Sequence, residues 1–118
     1  MENSMYLYKR ILHELECGVL SGRFAPGECI SSVRTLAAQY HVNPNTVQRA
    51  LKELEQKGLI VSRRGNKNMV TEDMEKIRCL RQERAEKITR SFVRRMETLG
   101  YTHEQIRKLC DGQNRAEE

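Results

Sequence analysis

Val42-Asn43-Pro44-Asn45 is the most restrictive local signal in this chain. Asn43 is a residue type that accepts a backbone hydrogen bond at a helix N-cap. Pro44 has a fixed φ suited to the first helical position, where its missing N–H has no intrahelical partner to lose. The helix opened there runs to about residue 57, with Val47, Ala50, Leu51 and Leu54 on one face, and Gly58 supplies its stop. Upstream, Ser31-Ser32 caps a second helix over residues 33–40 that buries Val33, Leu36 and Ala37. Only His41-Val42 separates the two, which is a helix-turn-helix pattern. Downstream, Leu59-Ile60-Val61 and Met69-Val70 are β-prone and flank a polar turn, giving a hairpin with the cationic tip Arg63-Arg64-Gly65-Asn66-Lys67. Helix-turn-helix followed at once by a basic hairpin predicts a winged helix.

The rest of the chain extends this unit at both ends. Tyr8, Ile11, Leu15 and Val19 form one apolar stripe of a first helix over residues 6–21, with Lys9, Arg10, Glu14 and Glu16 off it. Gly22 stops that helix and Ala25-Pro26-Gly27 marks a turn. From residue 72 to 99 the period is helical again, through Met74, Ile77, Leu80, Ala85, Ile88, Phe92, Met96 and Leu99. Such a helix reaches about 40 Å, longer than a small domain covers alone. Gly100 ends it, and Thr102-His103-Glu104-Gln105 has the form of a capping box opening a short last helix with Ile106, Leu109 and Cys110. The polar tail 111–118 is expected to fray. The fold class is therefore mainly α with a small β-hairpin. Residues 1–70 form a winged helix-turn-helix domain, and 71–118 a two-helix module.

Composition narrows the function classes. With 118 residues, 38% hydrophobic, no Trp and 2 Phe, the chain suits a small unit that finishes burying its apolar surface on a partner. Its apolar runs are too short for a membrane span, and its first residues lack a signal-peptide pattern, so a cytoplasmic location is expected. Cys17, Cys29, Cys79 and Cys110 are scattered without metal-finger spacing and are expected as reduced, buried packing residues. His13 with Cys17, and His103 with Cys110, have no third ligand at useful spacing, and no phosphate loop or nucleophile motif is present. Neither catalysis, a metal nor a cofactor is expected. The net charge is +5; residues 1–70 hold 10 basic against 6 acidic side chains, and 41–67 hold 6 against 2. A surplus gathered in one stretch points to an anionic partner.

That stretch carries groove-reading chemistry. Asn45, Thr46, Gln48, Arg49 and Lys52 occupy helix positions not needed for the core, and Asn43 joins them at the helix start. Asn and Gln can pair with adenine, Arg with guanine, and Thr with a phosphate or thymine methyl. Arg34 is placed to reach the DNA backbone from the preceding helix, and Arg64, Gly65 and Lys67 to follow the adjacent minor groove or phosphates.

Tyr8 with Ile11, Gly22-Arg23-Phe24-Ala25-Pro26-Gly27-Glu28, Ser32-Val33-Arg34-Thr35-Leu36-Ala37, Thr46-Val47-Gln48-Arg49-Ala50-Leu51 and Leu54-Glu55-Gln56-Lys57-Gly58-Leu59-Ile60 together resemble the winged-helix domain of the GntR family of bacterial transcription regulators. The short C-terminal segment and Val42-Asn43-Pro44-Asn45-Thr46-Val47 are similar to its YtrA subfamily. The resemblance implies a DNA-binding regulator, most often a repressor of a nearby transporter operon. Arg34, Thr46, Gln48, Arg64 and Gly65 match positions that touch DNA in relatives. Pro44 stands where many members have Arg, which implies a different operator. The C-terminal helices then read as a homodimerisation module using Ile77, Leu80, Ile88, Phe92, Met96, Leu99, Ile106 and Leu109. Two copies would bind a pseudo-palindromic double-stranded operator, with any small-molecule effector at the dimer interface or between domains. The competing readings are a protein-interaction module on a winged scaffold and a thiol- or metal-responsive sensor using Cys17 and His13.

Overall fold

A computed structural model describes residues 4–63, 65 and 67–116, which form five helices and a small antiparallel sheet. The first helix, α1 (Ser4–Ser21), starts slightly earlier than its stripe requires and buries Tyr8, Ile11, Leu12, Leu15, Val19 and Leu20. Strand β1 (Cys29–Ile30) follows, then α2 (Val33–Tyr40) and α3 (Pro44–Gln56). Both helices begin as their cap residues dictate. Ser32 Oγ accepts from Thr35 N at 3.1 Å, and Asn43 Oδ1 accepts from Asn45 N at 2.8 Å. The turn between them is tight because His41 adopts the left-handed conformation, φ 57°, and lets Val42 N donate to Ala37 O at 3.0 Å. Gly58, at φ 80°, serves the same purpose after α3, where Leu59 N donates to Leu54 O.

Strands β2 (Ile60–Arg63) and β3 (Lys67–Val70) form the expected hairpin, but the sheet has three strands in the order β1-β3-β2. Cys29 pairs with Met69 and Ile30 with Asn68. The turn before β1 feeds this pairing, since Gly27 N donates to Val70 O at 2.9 Å and Val70 N donates to Glu28 O at 2.8 Å. A two-residue strand has no periodicity to read, so only β3 reveals it.

The core is built from α1, α2, α3 and the sheet, with Ile11, Val19, Val47, Leu54, Leu59, Ile60 and Val70 almost wholly buried. Val33 is half-buried against it. Helix α4 (Met74–Thr98), capped by Asp73 Oδ1 on Lys76 N at 3.1 Å, contributes Ile77 and Leu80. The apolar stripe assigns these two side chains to subunit pairing. Ile77 is instead buried in the core of the first compact unit and Leu80 is half-buried against it; that unit runs through Arg81.

Glu16 is a second departure from the stripe. It is buried, and its Oε2 accepts from Lys57 Nζ at 2.9 Å, which joins α1 to the end of α3. Tyr40 donates from its hydroxyl to Glu14 Oε1 at 3.0 Å, and burial, reinforced by the neighbouring carboxylate, raises its phenol above its ordinary range. The cysteines are not core residues: Cys17 is half-buried, and Cys29, Cys79 and Cys110 are exposed free thiols.

The second unit, from Gln82 onward, holds the rest of α4 and α5 (His103–Ala116). The capping box forms, Gln105 Oε1 accepting from Thr102 N at 2.9 Å and Thr102 Oγ1 from Gln105 N at 3.2 Å. His103 Nε2 lies 2.8 Å from Glu97 Oε2. Helix α5 continues to Ala116, through much of the tail expected to fray, because the cap supplies a start and no Pro interrupts. Ile106 is buried within this unit, whereas Ile88, Phe92, Leu99 and Leu109 remain exposed. None of the helices is long and apolar enough to cross a membrane among the described residues.

Candidate nucleic-acid interface

Helix α3 divides its residues by the helical period. Val47, Ala50, Leu51 and Leu54 face the core, which leaves Asn45, Gln48, Arg49 and Lys52 exposed and Thr46 half-buried. Arg34 is exposed in the first turn of α2. An open concavity of about 660 Å³ gathers Arg34, Gln48, Lys52, Ser62, Gly65 and Asn68 from α2, α3 and the hairpin. Arg34, the Gln48 amide and the glycine of the wing therefore border one surface, with Glu55 as its acidic limit.

Asn45, Thr46 and Arg49 line a separate concavity of about 200 Å³ together with Tyr8 of α1. Asn43 has its side-chain oxygen engaged in the α3 cap, while its amide nitrogen donates no hydrogen bond among the described residues. Lys67 is exposed at the start of β3. Arg64 lies outside the described residues.

Two features of this surface escape a reading of the sequence. Arg63 and Lys67 are cross-strand partners, so two cations stand side by side at the tip of the ladder. Like charges directly opposite one another are unfavourable unless an anion sits between or above them. Ser62 Oγ donates to Asn68 Oδ1 at 3.2 Å one step back, bracing the ladder beneath the pair. Counting the hairpin register outward from Ile60 and Val70 would have found the Arg63–Lys67 pair. Tyr8, read only as a core residue, also lies against Arg49, its ring centroid 4.2 Å from the guanidinium carbon.

Among the described residues no group of three His, Cys, Asp or Glu side chains could hold a metal ion, and every buried side-chain polar atom has a hydrogen-bond partner. The surface presents donors and fixed positive charge, which suits recognition of a polyanion.

Residues 7–70 match the family of bacterial regulatory proteins, gntR family. Over 105 residues, 89% of this chain and 87% of the relative, the sequence is 31% identical to the HTH-type transcriptional regulator YhcF of Bacillus subtilis. It is 38% identical over 71 residues to the HTH-type transcriptional repressor YtrA of the same organism, covering 60% of this chain and 55% of that one. A GntR family transcriptional regulator from Listeria monocytogenes superposes with a TM-score of 0.85 at 35% identity, covering 90% of this chain and 93% of its own.

Proposed function

Since this chain belongs to the gntR family of bacterial regulatory proteins and is a DNA-binding transcriptional regulator rather than an enzyme, we propose that it acts as a homodimeric repressor. It binds a pseudo-palindromic operator in the cytoplasm and blocks a promoter, that of a transporter operon. The observation that carries the DNA contact is the shared concavity of Arg34, Gln48, Lys52 and Gly65, where backbone-binding and base-reading side chains from three elements meet on one face. Arg34, Lys52, Arg63, Arg64 and Lys67 bind phosphates; Asn45, Thr46 and Gln48 read base edges from the first turns of α3. Asn43 and Gly65 bring backbone close to the duplex. The repressor role is supported by likeness to the protein named YtrA repressor.

Pairing of two copies is supported by the second unit. A unit that among its described residues buries Ile106 but leaves Ile88, Phe92, Leu99, Tyr101 and Leu109 exposed has not finished burying its surface. Met96 and Ile106 belong to the same module. A small-molecule effector, if one acts, binds where copies or domains meet.

The test is affinity for duplex DNA across a salt series. Wild-type binding should weaken steeply with salt. Arg34→Ala should weaken a selected duplex and an unrelated one alike, whereas Gln48→Ala should narrow the gap between them. Salt-independent binding would reject the phosphate contacts, and equal behaviour of the two variants would reject the division of roles.

A further inference from the structure

Arg49 differs from the other cations of α3 because its guanidinium is already held. It lies over the Tyr8 ring at 4.2 Å, and that ring is 8% exposed and fixed among the packed side chains of α1. Stacking uses the face of a guanidinium and leaves its in-plane N–H donors free. Among the described residues no carboxylate or carbonyl takes those donors, whereas Lys57, at the C-cap of the same helix, is paired with Glu16 and Glu53. The Arg49 edge opens into the concavity of about 200 Å³ that Asn45 and Thr46 also line. There the backbone N–H groups of Asn45 and Thr46 are already donating, to Asn43 Oδ1 and Asn43 O, so the available donors are side chains.

We propose that Tyr8 is a positioning residue that holds Arg49 as a preformed clamp for one DNA backbone phosphate, on the α1-facing edge of α3. This rests on the DNA-binding reading and adds to it a contact on a separate concavity from that of Arg34 and Gln48. An ordinary surface Arg loses rotamer freedom when it meets a phosphate. Arg49 has lost much of it beforehand, on a ring that the core immobilises. The clamp reads charge and position, not base identity.

The experiment measures binding of the full chain to two duplexes across a salt series: one selected by the wild type from a random pool, the other unrelated and of equal length. Arg49→Ala should weaken both equally and reduce the salt slope by about one. Tyr8→Phe keeps the ring and should bind as the wild type does. Tyr8→Leu keeps apolar bulk without the π face, and should weaken both duplexes roughly two- to fivefold, the range of a surface cation–π contact. In an Arg49→Ala background, Tyr8→Leu should cost nothing more. Equal weakening by Tyr8→Leu with and without Arg49 overturns the positioning role, and an unchanged salt slope in Arg49→Ala overturns the phosphate contact. Wild type that binds neither duplex overturns the DNA-binding reading itself, so the two failures are distinguishable. Thermal melting of Tyr8→Leu, with Tyr8→Phe as its folded control, separates loss of the clamp from loss of the fold.

Discussion

Ile77→Ala and Ile88→Ala should have opposite consequences although both side chains sit on α4. Ile77 is 4% exposed in the core of the first unit, and Ile88 is 59% exposed in the second. Truncating a buried Ile to Ala removes transfer free energy and leaves a cavity, about 2–5 kcal/mol. In a domain of this size that lowers the melting temperature by roughly 10 °C or more. Ile88 has little to lose within its own subunit. If a second copy covers it, about six-tenths of the ~1.5–3 kcal/mol for burying such a side chain is gained on pairing, or about 1–2 kcal/mol. Two-fold symmetry counts the position twice, and the Ala retains a methyl. The dimer should therefore be weakened by about 2–3 kcal/mol, a dissociation constant raised roughly 30- to 150-fold. Sedimentation equilibrium reads the second effect, and urea unfolding at fixed protein concentration the first. Dissociation by Ile77→Ala without loss of stability, or an unchanged association constant for Ile88→Ala, would refute the reasoning.

Lys57→Met removes the Lys57 ion pair from the buried Glu16 carboxylate; because Lys57 itself is 36% exposed, the loss should be about 1–2 kcal/mol by urea unfolding, less than for a fully buried pair. Gly58→Ala forces a side chain into φ 80° and brings its Cβ to 2.6 Å from Lys76 Nζ, so a cost of about 1 kcal/mol or more is expected, read as a lower thermal midpoint. Tyr40 has a folded-state pKa above the ordinary 10.0, so its contribution is complete below that value and disappears as pH rises through the raised one. Tyr40→Phe should accordingly lose stability less steeply than the wild type at alkaline pH; parallel curves above about pH 10 would contradict this.

Much of the candidate site was legible beforehand because its pieces are local. The caps at Ser32 and Asn43, the stops at His41-Val42 and Gly58, and the exposed edge of Gln48 and Lys52 depend on neighbours within a few residues. Helical period alone separates those side chains from Val47 and Leu51. What remained hidden involves partners far apart in the chain. Arg49 was legible as a surface cation, but its seat on Tyr8 was not, and Arg63 was counted as charge before its pairing with Lys67 was visible.

Residue order alone therefore determined the helix-turn-helix, the wing and the long helix behind them, since a cap or an apolar stripe is written in consecutive residues. Tertiary structure decided that Cys29–Ile30 is a strand, that Glu16 is buried, and that α4 gives its first turns to the winged unit before offering Ile88 and Phe92 to solvent. A stripe states only that its side chains must leave water. Which surface covers them depends on segments brought together from distant parts of the chain, and that free energy exists only once the chain has folded.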